Sequence, residues 1–163
     1  ELGAFVHGER NQLIAKLATP VPNLADVRLR AEWLPELMKP YAHLSSLYVT
    51  PNIPEKKLRN ARKFCEVPDE EDVLALIDCT VFGSASDAML FGTRHLFFRN
   101  FIAQNGRPGR FLYGHLVTMS LQRAGDGELL FGETSVANVS GSGLSSPGLI
   151  GLIRDLQKRL QTV

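Results

Sequence analysis

Between Asp87 and Asp126 the chain carries five arginines, Arg94, Arg99, Arg107, Arg110 and Arg123, and no acidic residue. Guanidinium groups offer paired donors that match the oxygens of phosphate and carboxylate, so this one-sided stretch points first to anion binding. Arg99, Arg107 and Arg110 flank the segment from Asn100 to Gly109, and Arg94 lies just upstream. Phe98 and Phe101 beside them would add a stacking surface for nucleotide bases. Arg94, Arg99, Arg107 and Arg110 are thus a candidate anion-binding set for an acidic lipid or a nucleic acid. The competing reading is that strand alternation sends them to different faces, where they are solvated or paired with acids.

Asp78 interrupts an apolar run, VLALIDCTVF over residues 73–82. A buried carboxylate must be hydrogen-bonded, paired or neutralised. One reading is a small-molecule pocket or weak hydrolase around Asp78 and His95, with the carboxyl as general acid or base. The other is a strand-end polar residue, or a structural ion pair with an arginine of a neighbouring strand, and it is favoured because no second catalytic group is placed beside it. Ser84, Ser86, Asp87 and His95 include the residue types of a nucleophilic site, but no G-x-S-x-G elbow accompanies them. The small residues from Gly83 to Asp87 are explained by turn geometry. Cys79 and Cys65 lack metal-site spacing, and Cys79 reads as a small buried hydrophobe. His7, His43, His95 and His115 are dispersed, and neither a P-loop nor a dinucleotide-binding fingerprint occurs. No cofactor, metal or catalytic residue is expected.

The elements that must position these residues fall into two parts. Over residues 1–50, Leu13, Ile14, Leu17 and Ala18 recur at helical spacing, and Asn23 can cap a segment carrying Leu24, Val27, Leu29, Ala31 and Leu34. Pro35 and Pro40 should kink or end it. Trp33 reads as a core or interface anchor. Pro51, Asn52 and Pro54 mark a boundary, and Pro54 with Glu55 starts a basic helix to about Cys65. A second part, 54–163, then changes period to two. Strands are expected over Val73–Phe82, Ala88–Asn100, Phe111–Arg123 and Leu129–Val139. Ser140 to Ser146 reads as a flexible link. A closing helix, with Ser146 as N-cap and Pro147 in its first turn, places Leu149, Ile153, Leu156 and Leu160 on one face.

The 163 residues are 44% hydrophobic and 21% charged, with a net charge of +1. That composition can bury a core and excludes a strongly basic nucleic-acid binder on bulk charge. No apolar run reaches the roughly 20 residues of a membrane span, and no signal pattern opens the chain. A cytoplasmic location is expected, compatible with peripheral attachment to a membrane.

Residues 54–162 resemble the bacterial pleckstrin-homology-like domains. The likeness is carried by the aliphatic strand Val73 to Phe82 and by Met89-Leu90-Phe91-Gly92-Thr93-Arg94-His95-Leu96-Phe97-Phe98. It continues through Phe111 to Val117, Gly127 to Phe131 and the helix from Leu149 to Leu160. It implies an α+β fold, a bent, partly open antiparallel β-barrel of seven strands closed by a C-terminal helix, here with a helical N-terminal extension. It also implies a noncatalytic binding or assembly module that engages a protein partner or itself. Lipid-binding members of the wider superfamily use Lys and Arg on the first strand pair and its loop. The corresponding turn here, Gly83 to Asp87, has no base and one acid. Specific phosphoinositide binding is therefore not expected.

Overall fold

A computed structural model describes residues 23–162. The helical stripe read over Leu13 to Ala18 lies outside them. Among the described residues eight strands form two antiparallel sheets, and a long helix follows them. The first sheet has the order β1 (Leu47–Val49), β2 (Val73–Asp78), β3 (Ala88–Gly92), β4 (His95–Arg99) and β5 (Gly109–Leu112). The second runs β6 (Leu121–Gly125), β7 (Glu128–Phe131) and β8 (Ser135–Asn138). The α+β class expected from the sequence is present. The expected barrel is bent and partly open, plugged by the helix; the strands form two separate sheets, and no ladder joins them into a closed barrel among the described residues.

All six residues of β2 are buried because the first sheet is covered on both faces. Among the described residues helix α2 is the second of four α-helices, α1 (Leu34–Met38), α2 (Glu55–Phe64), α3 (Tyr113–Leu116) and α4 (Ser146–Gln161). Ala61 of α2 and the following Cys65 pack over Leu76, Leu90 and Phe97. The opposite face, with Ile77, Met89, Phe91 and Phe98, packs against the second sheet and α4. Phe98, Phe111 and Phe131 bring the two sheets together, with ring centroids 5.1–5.6 Å apart.

Several sequence-based elements are corrected. Strict alternation along β2 fails at a register shift between Val73 and Ala75. Val73 accordingly joins the α2-side core, and Leu74 joins Ala75 on the other side. The strand stops at Asp78, and Val81 and Phe82 stand in solvent. The expected strand over Ala88–Asn100 is a hairpin, turning at Thr93-Arg94. Its Phe111–Arg123 successor is broken by α3, whose buried Tyr113 donates its hydroxyl to the Gly92 carbonyl at 2.7 Å. The last expected strand divides into β7 and β8.

The Ser140–Ser146 segment is ordered by hydrogen bonds rather than being a loose link. Ser142 donates to the Val139 carbonyl at 2.6 Å, and Gly141 lies so close to the Cys79 carbonyl that a Cβ would collide with it. The N-cap of α4 is Ser145, whose Oγ accepts from the Gly148 amide at 3.2 Å. Ser146 instead donates to the Gly125 carbonyl and accepts from the Gly127 amide at 2.7 Å, pinning the helix to the β6–β7 turn.

The stretch read as a helical extension also contributes to the domain. Leu29, Leu34, Leu37 and Met38 lie in the main core, and the Leu29 amide donates to the Thr93 carbonyl at 2.9 Å. Within residues 1–50, Leu47–Val49 form the edge strand β1, paired with β2. The helix signals Pro35 and Pro40 fall in α1 and the short turn after it. Trp33 is half-buried against the core, with Arg30 and Arg159 over its ring. None of the helices described is long and apolar enough to cross a membrane.

Candidate functional site

The four arginines of the anion-site reading are not brought together. Register places Asp78, Ala88 and Arg99 side by side at one end of the first sheet. Arg94 is exposed in the β3–β4 turn, at the opposite end of the hairpin from Arg99. Arg99 is committed to structure. Its guanidinium pairs with Asp87 at 2.5 Å, donates to the Ser86 and Gly106 carbonyls, and lies over Phe64. Arg107 is exposed in the β4–β5 loop. Arg110 shares a cleft of about 220 Å³ with Cys65, Glu66 and Pro108. Phe98 is buried against Phe131, so of the two aromatics proposed as a stacking surface only Phe101 is accessible.

Asp78 and His95 also lie at opposite ends of the sheet, so no common cleft contains them. Asp78 is buried and pairs with a lysine of α2, not with a strand arginine. Lys57 Nζ donates to Oδ2 at 2.6 Å and to the Gly83 carbonyl, while the Thr80 amide donates to Oδ1 at 2.9 Å. Burial would raise the Asp78 pKa, but the hydrogen bonds from Lys57 and Thr80 outweigh it and hold the carboxyl below its ordinary 3.8. Burial would likewise lower the Lys57 pKa, yet the bond to Asp78 and the nearby Tyr48 hold it above its usual value. Lys57 is therefore a cation and not a general base.

His95 belongs to a second internal cluster. Glu71, 3% exposed, accepts from the Arg94 amide at 2.6 Å and the His95 amide at 3.0 Å. Its other oxygen lies 3.0 Å from His95 Nδ1. Gly92 is glycine for a steric reason: a Cβ there would collide with the Glu71 carboxylate. Ser84 and Ser86 have their hydroxyls 3.1 Å apart, and among the described residues no basic side chain bonds to either hydroxyl. Among the described residues no group of three or more metal-ligating side chains converges.

The two cysteines are buried, free thiols. Burial pushes Cys65 up to about 12 and Cys79 higher still, so neither forms the nucleophilic thiolate at neutral pH. We expect a thiol-disulfide exchange reagent to modify neither in the native protein at neutral pH, and both after denaturation. Rapid native modification of either thiol would show that the core around it opens.

The most accessible candidate surface is one that sequence reasoning missed. Val81 and Phe82 in the β2–β3 loop are 84% and 98% exposed, and Phe101 and Ile102 in the β4–β5 loop are 74% and 77% exposed. The two loops leave the same end of the sheet, at the row defined by Asp78, Ala88 and Arg99. Single exposed apolar residues are common, whereas two apolar pairs on neighbouring loops make a patch that calls for a role. A signal was present in the sequence: each pair follows a polar residue, Thr80 or Asn100, at the end of a hydrophobic strand. Their strand-like chemistry concealed it.

The loops are held from below. Asn100 donates to the Asn138 carbonyl at 3.2 Å and accepts from the Ile102 amide at 2.8 Å. Thr80 Oγ donates to Asp78 and accepts from the Ala85 amide at 3.2 Å. Comparison with protein-family models, curated proteins and solved structures found no match.

Proposed function

We propose that this chain is a noncatalytic binding module of the pleckstrin-homology-like kind, and that it engages its partner through the loop end carrying Val81, Phe82, Phe101 and Ile102. The architectural part is supported by β2 to β8, which are seven antiparallel strands followed by a helix packed on β6 and β7. The functional part rests on one observation, the exposure of four large apolar side chains on two loops braced from beneath. Absence of catalysis is supported by the fate of the polar groups. Asp78, Glu71 and His95 are occupied by internal partners, and both thiols are protonated.

Incorporating a photo-crosslinking phenylalanine analogue at Phe82 or Phe101 tests the reading in the producing cell, with the exposed Thr118 beyond the other end of the sheet as control. Adducts at both loop positions and none at Thr118 are expected, and they should diminish when the other loop carries a serine. Adduct formation equal at all three sites would sink the proposal. Phe82→Ser itself should leave the thermal midpoint unchanged, because the side chain makes almost no buried contact.

A further inference from the structure

We propose that the groove between α1 and the C-terminal half of α4 is the seat of this chain's own N-terminal stripe, Leu13, Ile14, Leu17 and Ala18, carried on a helical segment that ends before Pro20. The groove, of about 320 Å³, has an apolar floor of Trp33, Leu37 and Pro40 and a charged rim that includes Asp155, Lys158 and Arg159. That volume is at the small end for ligand pockets and suits a few aliphatic side chains. Trp33 is half-buried, with Arg30 and Arg159 over its ring at 5.6 and 5.3 Å. Arg159 also lies 3.7 Å from Glu36, which ties α1 to α4 while the indole still lines the opening.

Position favours this occupant. The described chain begins at Asn23, whose side chain caps the turn Leu24–Asp26. Leu24 lies directly on α3, where a Cβ at Gly114 would collide with its carbonyl. In turn α3 and the residues after it are bound to α4, since Gln157 donates to the Leu116 and Met119 carbonyls at 2.8 and 2.9 Å. Residues 1–22 therefore join the fold on one flank of α4, with the groove on the other, about one helix diameter or roughly 10 Å away. Pro20 and Pro22 favour extended backbone rising about 3 Å per residue, so Pro20-Val21-Pro22 covers most of that distance. A tether this short holds the stripe at an effective concentration of about millimolar, against which a separate partner must compete.

Chemistry points the same way. At helical spacing Leu13, Ile14, Leu17 and Ala18 share one face, and Gln12, Ala15 and Thr19 lie on the other. The rim charges Asp155 and Lys158 have no ion-pair partner among the described residues, and the segment brings Glu9, Arg10 and Lys16, of both signs. The inference is independent of the loop end. The Tyr113 amide at the start of α3 donates to the Arg94 carbonyl at 3.0 Å, which sets α3 and the nearby groove toward the end of the sheet opposite Val81, Phe82, Phe101 and Ile102.

Trp33 is the only tryptophan of the chain, so its fluorescence reports on the groove alone. In the full chain, Leu13→Ser with Leu17→Ser should weaken docking about a hundredfold, read as Trp33 emission at longer wavelength and stronger quenching by acrylamide. Gln12→Ser with Ala15→Ser, on the opposite face, should change neither. Equal emission and quenching for the wild type and both variants overturns the proposal. A photo-crosslinking phenylalanine analogue at Leu17 gives a second readout that leaves the rest of the stripe in place. Adducts within one monomer to residues 33–40 or 155–162 are expected. Adducts found only in covalent dimers put a second copy in the groove, and adducts confined to other regions leave it empty; either result overturns the same-chain assignment.

Discussion

Lys57→Met should destabilise the domain by about 3 kcal/mol at neutral pH, the cost of leaving one member of a buried ion pair uncompensated. Asp78 and Lys57 have side chains only 4% and 20% exposed, so water replaces little of what the ammonium supplies. The variant retains the Thr80 hydrogen bonds, yet burial then opposes ionisation without a nearby cation. In the wild type the Asp78 pKa lies below its ordinary 3.8, so its stabilising contribution is present above that value and is lost as pH falls through the folded one. In the variant the folded pKa moves upward, and protonation relieves the buried charge. The stability gap is therefore widest near neutrality and narrows on acidification. Urea midpoints of the two proteins at neutral and mildly acidic pH measure this. A gap that is small at neutrality, or that does not change with pH, would rule out an uncompensated Asp78. Replacing both residues with apolar ones should recover much of the loss.

Glu71→Ala should cost about 3 kcal/mol, because two hairpin amides lose their acceptor and a cavity opens beside Gly92. Glu71→Gln retains an acceptor oxygen for both amides and should cost about 1 kcal/mol. Hydrogen exchange gives the specific readout: the Arg94 and His95 amides should exchange faster in the alanine variant relative to the rest of β4. Equal stabilities for the two variants would mean that the hydrogen bonds to the turn contribute little. Glu71 lies at the opposite end of the sheet from the exposed tips, so its variants perturb the fold apart from the binding surface, whereas Lys57 also holds the Gly83 carbonyl of the β2–β3 loop.

Hydrophobic patterning made a good part of this architecture legible. The α2 and α4 helices begin and end close to their expected positions, since proline and serine signals and a period of 3.6 act locally. The β-rich middle was also readable, because an apolar run such as VLALID can be satisfied only between two covering layers. The strand ends were not. Phe82 has the chemistry of a strand residue and is 98% exposed; Tyr113, which looked like one position of a long strand, starts a helical turn with its hydroxyl on the Gly92 carbonyl. Those outcomes depend on partners brought in from distant sequence.

The candidate site divides in the same way. The sequence alone determined that Asp78 needed a partner and that the region after Asp87 is rich in arginine and free of acid, since both follow from residue type and order. It could not determine that the partner is Lys57, or that Arg99 is consumed by Asp87 while Arg94 stands at the far end of the hairpin. Tertiary structure decided these because ion pairing and exposure depend on which elements pack together, and strand register sets the distance between residues close in sequence. The same packing set two apolar pairs, about twenty residues apart in the chain, at one end of a single sheet.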